Sequence, residues 1–206
     1  MDDEAVSATP AQSVNAQAGR SLVVLSGPSG TGKTTVCRAL AQRMPIVLST
    51  SATTRRPRPG EVDGREYYFL TPAEFRRRVA AGRFVEWAEV FGHCYGTPVE
   101  ELERAARTGR PLLLEIDVQG GIQVKRKFPA ALAILLRAPD DATQRQRLSG
   151  RGTEPPEEIE RRFQKAQDEV RTARASQCYD VEVVNDDLER TIGELVRIIQ
   201  TWRMHA

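Results

Sequence analysis

The chain has 206 residues, of which 40% are hydrophobic, so it can form one α/β domain with its own core but not several domains. Its 30 basic and 28 acidic residues leave a net charge of only +2, which gives no reason to expect nucleic acid or a membrane as partner. The three cysteines are scattered without metal-ligand spacing and no apolar stretch approaches bilayer length, so we expect a cytoplasmic protein with reduced thiols.

The first segment, residues 1–20, is acidic and rich in Ala, Ser and Gln. It lacks the basic start and apolar run of a secretion signal, and it has no core-forming pattern. We therefore expect a flexible N-terminal tail, with the folded domain spanning residues 21–206.

Four short apolar runs have the length and composition of buried strands. They are residues 22–26, 112–116, 132–136 and 181–184. Each is followed by a segment that can form a helix, the clearest being residues 32–43 and about 188–202. This alternation predicts an α/β fold in which helices flank a parallel sheet on both faces.

Two stretches interrupt the alternation. Residues from about 50 to 98 are rich in Pro, Gly, Arg and Tyr, and residues from about 148 to 169 begin with glycines and continue as a charged helix. Segments that leave a sheet in this way often bind a substrate or close over it. We interpret both as insertions into one domain rather than as separate domains.

A phosphate-binding loop is predicted between the first strand and the first helix. Its members are Gly27, Pro28, Ser29, Gly30, Thr31, Gly32, Lys33 and Thr34, and we count Thr35 with them as residues that bind ATP. Glycines let successive N–H groups point at phosphate oxygens, and the helix N-terminus favours the negative charge. The alternative is an ordinary Gly/Ser turn.

Within this loop, Lys33 is expected to bridge the β- and γ-phosphates and to be catalytic, while the Thr34 hydroxyl faces Mg²⁺. A P-loop also needs an acidic residue at the end of a neighbouring strand, and Glu115 and Asp117 are the candidates. We place Asp117 near the metal, with Thr34. The alternative for Asp117 is an Asp that ends its strand in a local turn.

Several further segments together resemble the guanylate kinase family. They are residues 51–69, 84–89, 95–97, 150–154 and 184–187, so the resemblance extends from about residue 22 into the last helix. It implies a P-loop kinase fold with an insertion for the nucleoside monophosphate at about 50–98 and a lid at about 148–169. The implied reaction transfers the γ-phosphoryl group of Mg-ATP to GMP, and dGMP is an expected second acceptor.

For the acceptor phosphate, the resemblance implies Arg55, Arg58, Tyr67 and Tyr95, with Arg55 also counted as catalytic. Planar, multiply donating cations and hydroxyl groups suit a phosphate dianion. The alternative is a solvated basic loop whose tyrosines pack on a sheet edge.

For the guanine base, the resemblance implies Glu86 as the reader, because one carboxylate can accept hydrogen bonds from both N1–H and the exocyclic amine. Ser51 and Thr97 offer hydroxyls to the base, and Asp117 is counted among the substrate-binding residues as well. The alternative for Glu86 is a surface position on a helix beside Trp87.

Arg151 in the glycine-rich start of the lid segment and Arg162 on the helix that follows resemble the family's arginines that close over the transferring group. Arg161 is an alternative to Arg162. Two other functions stay open. One is a scaffold domain that binds proteins without catalysis, and the other is a related kinase acting on a phosphorylated sugar such as a ribose phosphate.

Overall fold

The computed structural model describes residues 19–150 and 155–205. In chain order its elements are β1 (Leu22–Ser26), α1 (Lys33–Arg43), β2 (Val47–Leu48), β3 (Ala52–Thr53), β4 (Tyr68–Phe69), α2 (Pro72–Ala80), β5 (Phe84–Val90), β6 (His93–Pro98), α3 (Glu100–Ala106), β7 (Leu112–Ile116), α4 (Val118–Lys127), β8 (Leu132–Arg137), α5 (Asp141–Ser149), α6 (Pro156–Ser176), β9 (Val181–Val184) and α7 (Leu188–His205).

The central sheet has five strands in the order β2-β7-β1-β8-β9, all parallel to their neighbours. The four strands predicted from apolar runs are confirmed, and β2 is a short additional edge strand. Side chains on β1 alternate between two cores, because successive residues of a strand point to opposite faces. Val23 packs in one core and Val24 in the other.

Helices cover both faces of this sheet, which confirms the predicted α/β class. Buried side chains of α1 and α7 fill one core, including Leu40 and Leu195. The opposite core receives α3 and α4, including Ala105 and Val124. Within the described residues, no helix is both long and apolar enough to cross a membrane.

The first interruption, residues 50–98, forms a second, mixed sheet of four strands in the order β4-β3-β6-β5. Its own small core contains Ala52, Phe75 and Phe84. The buried carboxylate of Glu101 on α3 accepts a hydrogen bond from the Thr50 N–H (2.8 Å) at the point where the chain enters this sheet. A polar contact therefore ties α3, which packs on the central sheet, to the segment that leads into the second sheet.

The second interruption is described only in part. Residues 151–154, which include Arg151, lie outside the described residues, as do residues 1–18 of the predicted tail. After the gap, α6 runs from Pro156 to Ser176, beyond the predicted end of the lid at about residue 169. The last helix ends at His205 rather than at about residue 202.

Leu113 on β7 has no exposed surface and packs between the central strands and α1. We expect Leu113→Ala to lower the free energy of unfolding by about 2–5 kcal/mol, because the lost contacts leave a cavity. Urea unfolding followed by circular dichroism measures this. Val184→Ala, at a side chain that is 36% exposed, is the matched control and should change the same quantity by about 0.5 kcal/mol or less.

Candidate active site

The predicted phosphate-binding loop lies between β1 and α1, at the carboxyl edge of the central sheet. Gly30 and Gly32 have φ angles of +83° and +86°, in the left-handed region that favours glycine. A Cβ atom at Gly27 would lie 2.3 Å from the Leu136 carbonyl oxygen. Each of these positions therefore has a steric reason to be glycine. The loop and its backbone N–H groups continue directly into the start of α1.

Two buried side chains from distant elements hold the loop in place. The Asn185 side-chain amide donates to the Thr31 carbonyl oxygen (2.8 Å), and the Gln144 amide donates to the Ser29 carbonyl oxygen (2.9 Å). Neither was among the predicted site residues. Asn185 belongs to one of the segments that carry the family resemblance, whereas nothing in the sequence pattern marks Gln144.

The amino group of Lys33 folds back over the loop and donates to the carbonyl oxygens of Gly27 (2.6 Å) and Pro28 (2.9 Å). Burial lowers its pKa, while the nearby carboxylates of Glu115, Glu169 and Asp117 act in the opposite direction. The Lys33 ammonium group lies between the phosphate-binding loop and these carboxylates. There its positive charge can stabilise negative charge on phosphate oxygens.

At the start of α1, the Thr34 hydroxyl donates a hydrogen bond to the Glu115 carboxylate. Both groups offer oxygen ligands, which Mg²⁺ prefers. Asp117 instead caps α4, where its Oδ1 accepts from the Gly120 N–H (2.8 Å). The structure thus pairs Thr34 with Glu115, the acidic residue that we had not chosen, and a metal-binding role for Asp117 stays a prediction.

In the described part of the chain, no cluster of three or more His, Cys, Asp or Glu side chains could hold a metal ion alone. Mg²⁺ in phosphoryl transfer is commonly held by one or two protein oxygens together with phosphates and water. The oxygens of Thr34 and Glu115 fit that kind of binding. The exposed Thr35 follows Thr34 on α1.

A cavity of about 160 Å³ lies between the loop and the second sheet. Its lining contains six of the predicted site residues, namely Lys33, Ser51, Tyr67, Glu86, Tyr95 and Asp117. Residues from the phosphate loop, from β7 and from the insertion are therefore brought to one cavity, although they are far apart in sequence. Glu115 lines it too.

Arg55 is held by a bidentate ion pair with Glu61, at 2.8 and 2.9 Å. This contact raises the pKa of Arg55 and lowers the pKa of Glu61. The guanidinium lies 5.3 Å from the centre of the Tyr67 ring, whose own centre is 6.0 Å from that of Tyr95. Three of the four predicted phosphate-binding residues thus form one group, in which Arg55 is positioned by Glu61, a residue that the sequence analysis had not assigned.

The fourth, Arg58, is exposed, and its backbone N–H donates to Glu61 at 2.7 Å. Glu61 thereby connects Arg55 with Arg58 through its carboxylate. Neither of these two arginines lines the cavity, whereas Tyr67 and Tyr95 do.

Glu86 lies on strand β5 and is 5% exposed, so the alternative of a surface position on a helix is wrong. Its Oε1 accepts hydrogen bonds from the N–H (2.9 Å) and the hydroxyl (2.7 Å) of Thr97 on β6. Burial raises the pKa of Glu86 to about 7; the Thr97 bonds oppose the rise, and the charge of Asp117 adds to it. A buried carboxylate that lines a cavity and has one oxygen fixed is suited to accept hydrogen bonds from two adjacent donor groups of a ligand.

The two candidate arginines on α6 differ in their surroundings. Arg161 is exposed, pairs with Glu158 (2.6 Å), and its guanidinium lies 5.1 Å from the centre of the Phe91 ring on the β5–β6 hairpin. Arg162 is half-buried. A catalytic role for Arg162, like that of Arg151, stays a prediction.

Comparison with known proteins gives the family. The guanylate kinase family model matches residues 19–202. The chain belongs to the guanylate kinase family. A guanylate kinase of Rubrobacter xylanophilus is 47% identical over 180 residues, covering 87% of this chain and 93% of that protein. One from Thermobifida fusca is 48% identical over 179 residues, covering 86% and 90%.

Within the guanylate kinase family, a solved structure shares the fold. The crystal structure of the guanylate kinase from Anaplasma phagocytophilum matches with a TM-score of 0.73 and 33% identity, over 89% of this chain and 86% of that one. The predicted combination of a P-loop, a parallel sheet and flanking helices is thereby confirmed at the level of the family.

The raised pKa of Glu86 predicts a pH dependence. The predicted role of Glu86 in reading the base needs the ionised carboxylate, so kcat/KM for GMP at saturating ATP should fall about tenfold from pH 8 to pH 6 as Glu86 becomes protonated through its pKa of about 7. Steady-state kinetics across this range measures it. Phosphate groups of the substrates also titrate near pH 6.

Glu86→Gln, which has no titratable group at this position, is the control for that substrate contribution. Its lower kcat/KM should lose the inflection near pH 7. Profiles of the same shape for the two proteins would contradict the role of Glu86.

Proposed function

We propose that this chain is an ATP-dependent nucleoside monophosphate kinase that transfers the γ-phosphoryl group of Mg-ATP to GMP, giving ADP and GDP. The observation that carries the proposal is the single cavity that joins Lys33 of the phosphate loop to the buried carboxylate of Glu86. Family membership supports the same reaction. In the cell the enzyme would act in the cytoplasm in purine nucleotide metabolism and GMP recycling, and dGMP is an expected second acceptor.

On the donor side, the loop from Gly27 to Thr34 cradles the phosphates of ATP, and Lys33 neutralises charge on the β- and γ-phosphates. Thr34 and Glu115 would hold Mg²⁺, and Asp117 is kept as a further candidate. The ion supplies positive charge where negative charge develops on the phosphate oxygens. Phosphoryl transfer needs no protein nucleophile, so positioning and charge neutralisation carry the rate.

On the acceptor side, the ionised Glu86 accepts from guanine N1–H and the exocyclic amine, and the Ser51 hydroxyl is a candidate donor to the remaining base acceptors. The Thr97 hydroxyl donates to Glu86 and so orients the carboxylate, and its direct contact with the base stays a prediction. Adenine would present an acceptor nitrogen to the same carboxylate. A buried site of this kind rejects the wrong base strongly, because mismatched polar groups would be left without partners. Asp117 lines the same cavity and is a candidate contact for the substrate.

The GMP phosphate is assigned to Arg55, Arg58, Tyr67 and Tyr95. Arg55 already lies against Tyr67 and is oriented by Glu61, so this part of the site is largely formed before the substrate arrives. Pre-orientation reduces the entropy cost of holding the acceptor in line with ATP.

Closure over the reacting groups is assigned to residues 148–169, with Arg151 and Arg162 as the arginines that neutralise the transferring group. Residues 50–98 serve as the GMP-binding insertion, and residues 1–20 as a tail outside the site. A closed lid would exclude water and so prevent wasteful hydrolysis of ATP.

The two other functions have less support. A protein-binding scaffold would not need Lys33, Thr34 and a loop with the left-handed glycines that phosphate binding uses. A kinase for a phosphorylated sugar would not need a buried carboxylate, held by a threonine hydroxyl, in the lining of this cavity.

The first test offers GMP, dGMP, AMP, CMP, UMP and ribose 5-phosphate separately to the purified protein with Mg-ATP, and measures ADP and the phosphorylated product. We expect turnover selective for GMP, with one GDP for each ADP. Lys33→Ala should lower kcat on the order of a hundredfold or more while the protein keeps its circular dichroism spectrum. Equal turnover of sugar phosphate and GMP would refute the proposal.

A second test separates the two acidic candidates for the metal. We expect Glu115→Gln to raise the Mg²⁺ concentration for half-maximal rate on the order of tenfold, because it weakens the oxygen pair with Thr34. Asp117→Asn is the matched variant, two residues further along the chain, and should mainly raise KM for GMP. If Asp117→Asn alone shifts the Mg²⁺ requirement, the metal assignment returns to Asp117.

A further inference from the structure

Helix α4 begins beside the acceptor site and has glycine at position 120 in its first turn. The φ angle of Gly120 is not positive, so the backbone there is open to any residue. Alanine is more favourable than glycine in a helix. Backbone conformation therefore gives no reason for glycine at this position, and the reason must lie in the space around it.

That space is filled by the two carboxylates of the acceptor cavity. A Cβ atom at Gly120 would lie 2.6 Å from Oε2 and 3.2 Å from Cδ of Glu86, and 3.4 Å from Oδ1 of Asp117. The Gly120 N–H also donates to that same Asp117 oxygen at 2.8 Å. The buried backbone of Gly120 thus donates a hydrogen bond to one carboxylate and lies close to the other.

Glu86 has little freedom to give way without changing its function. Its other oxygen, Oε1, is fixed by two hydrogen bonds from Thr97 on the neighbouring strand. A methyl group at position 120 would push Oε2 aside and either break these bonds or tilt the carboxylate. The displaced atoms are the end of a flexible side chain rather than backbone, so the fold should survive while the geometry of the carboxylate changes.

We propose that Gly120 is a positioning residue that determines base selectivity: the missing side chain lets Glu86 rest against α4 with its carboxylate in the plane that guanine requires. This inference rests on the proposed function and deepens it. Gly120 acts through Glu86 and touches neither the transferred phosphoryl group nor the donor loop.

The test is Gly120→Ala. We expect KM for GMP to rise on the order of tenfold or more, because a displacement of about 1 Å in a positioned group has effects of at least this size. KM for ATP should stay within about twofold, and the ratio of kcat/KM for GMP to that for AMP should fall by a similar factor to the rise in KM for GMP. Calorimetric titration with GMP in the absence of ATP should give the same loss of affinity.

The matched control is Gly193→Ala on α7. Gly193 is an exposed helical glycine, and a Cβ atom there would meet nothing within 4 Å. Both KM values should be unchanged in this variant. The melting temperature of Gly120→Ala should lie within a few degrees of that of the wild type. Failure of this variant to fold would overturn the inference, because the backbone rather than the Glu86 side chain would then have to move to relieve the clash.

A double-mutant cycle with Glu86→Asp measures the coupling between positions 86 and 120 in GMP affinity. A merely structural role of Gly120 would give no such coupling. The shorter side chain withdraws the carboxylate from position 120, so Gly120→Ala should cost much less in GMP affinity in the Glu86→Asp background than in the wild type. Additive losses, or an unchanged KM for GMP in an active enzyme, would overturn the role of Gly120. A wild-type protein that does not phosphorylate GMP would overturn the proposed function, and this inference with it.

Discussion

Parallel pairing of β1 with β7 sets Ser26 beside Ile116, so that both strands end at the same edge of the sheet. The phosphate loop leaves one strand at this edge, and Glu115 and Asp117 stand at the end of the other. The Ser26 hydroxyl joins the two ends by donating to the Asp117 carbonyl oxygen (2.8 Å), and it accepts in turn from the Tyr179 hydroxyl (2.8 Å). The start of the phosphate loop, the Glu115 carboxylate and one wall of the cavity all depend on this register.

The second constraint on the site is that two charged side chains are buried while their charges are only partly neutralised. Glu86 is removed from water and receives hydrogen bonds only on one oxygen, so its pKa rises to about 7. Removal from water also lowers the pKa of Lys33, against the pull of nearby carboxylates. Groups of this kind are costly in a stable protein and are typical of sites that wait for a charged or hydrogen-bonding ligand. The substrates would supply the missing partners, which explains how the same buried groups can give both affinity and selectivity.

The sequence predicted the loop and the four long central strands because their signals are local: a glycine pattern followed by Lys33, and short apolar runs between polar segments. It left open a surface position on a helix for Glu86, because the strand and the burial of Glu86 depend on pairing with β6 across a hairpin. Gln144 and Glu61 were missed for a related reason. Gln144 reaches Ser29 from 115 residues away, and Glu61 acquires its role only by meeting Arg55. The first contact is long-range, and the second spans six residues of an irregular loop, so neither leaves a periodic trace in the chain.

The donor and acceptor halves meet at the end of β7. Glu115 faces the Thr34 hydroxyl, whereas Asp117, about 7 Å further along an extended chain, caps α4 and supports the turn on which Glu86 rests. One short segment therefore carries a contact to the phosphate side and another to the base side. Because β7 lies between β2 and β1 in the sheet and most of its side chains are buried in close-packed surroundings, both contacts start from backbone that the fold holds in place. The spacing between the phosphate loop and the cavity wall at Glu86 is then set by this strand and its continuation into α4.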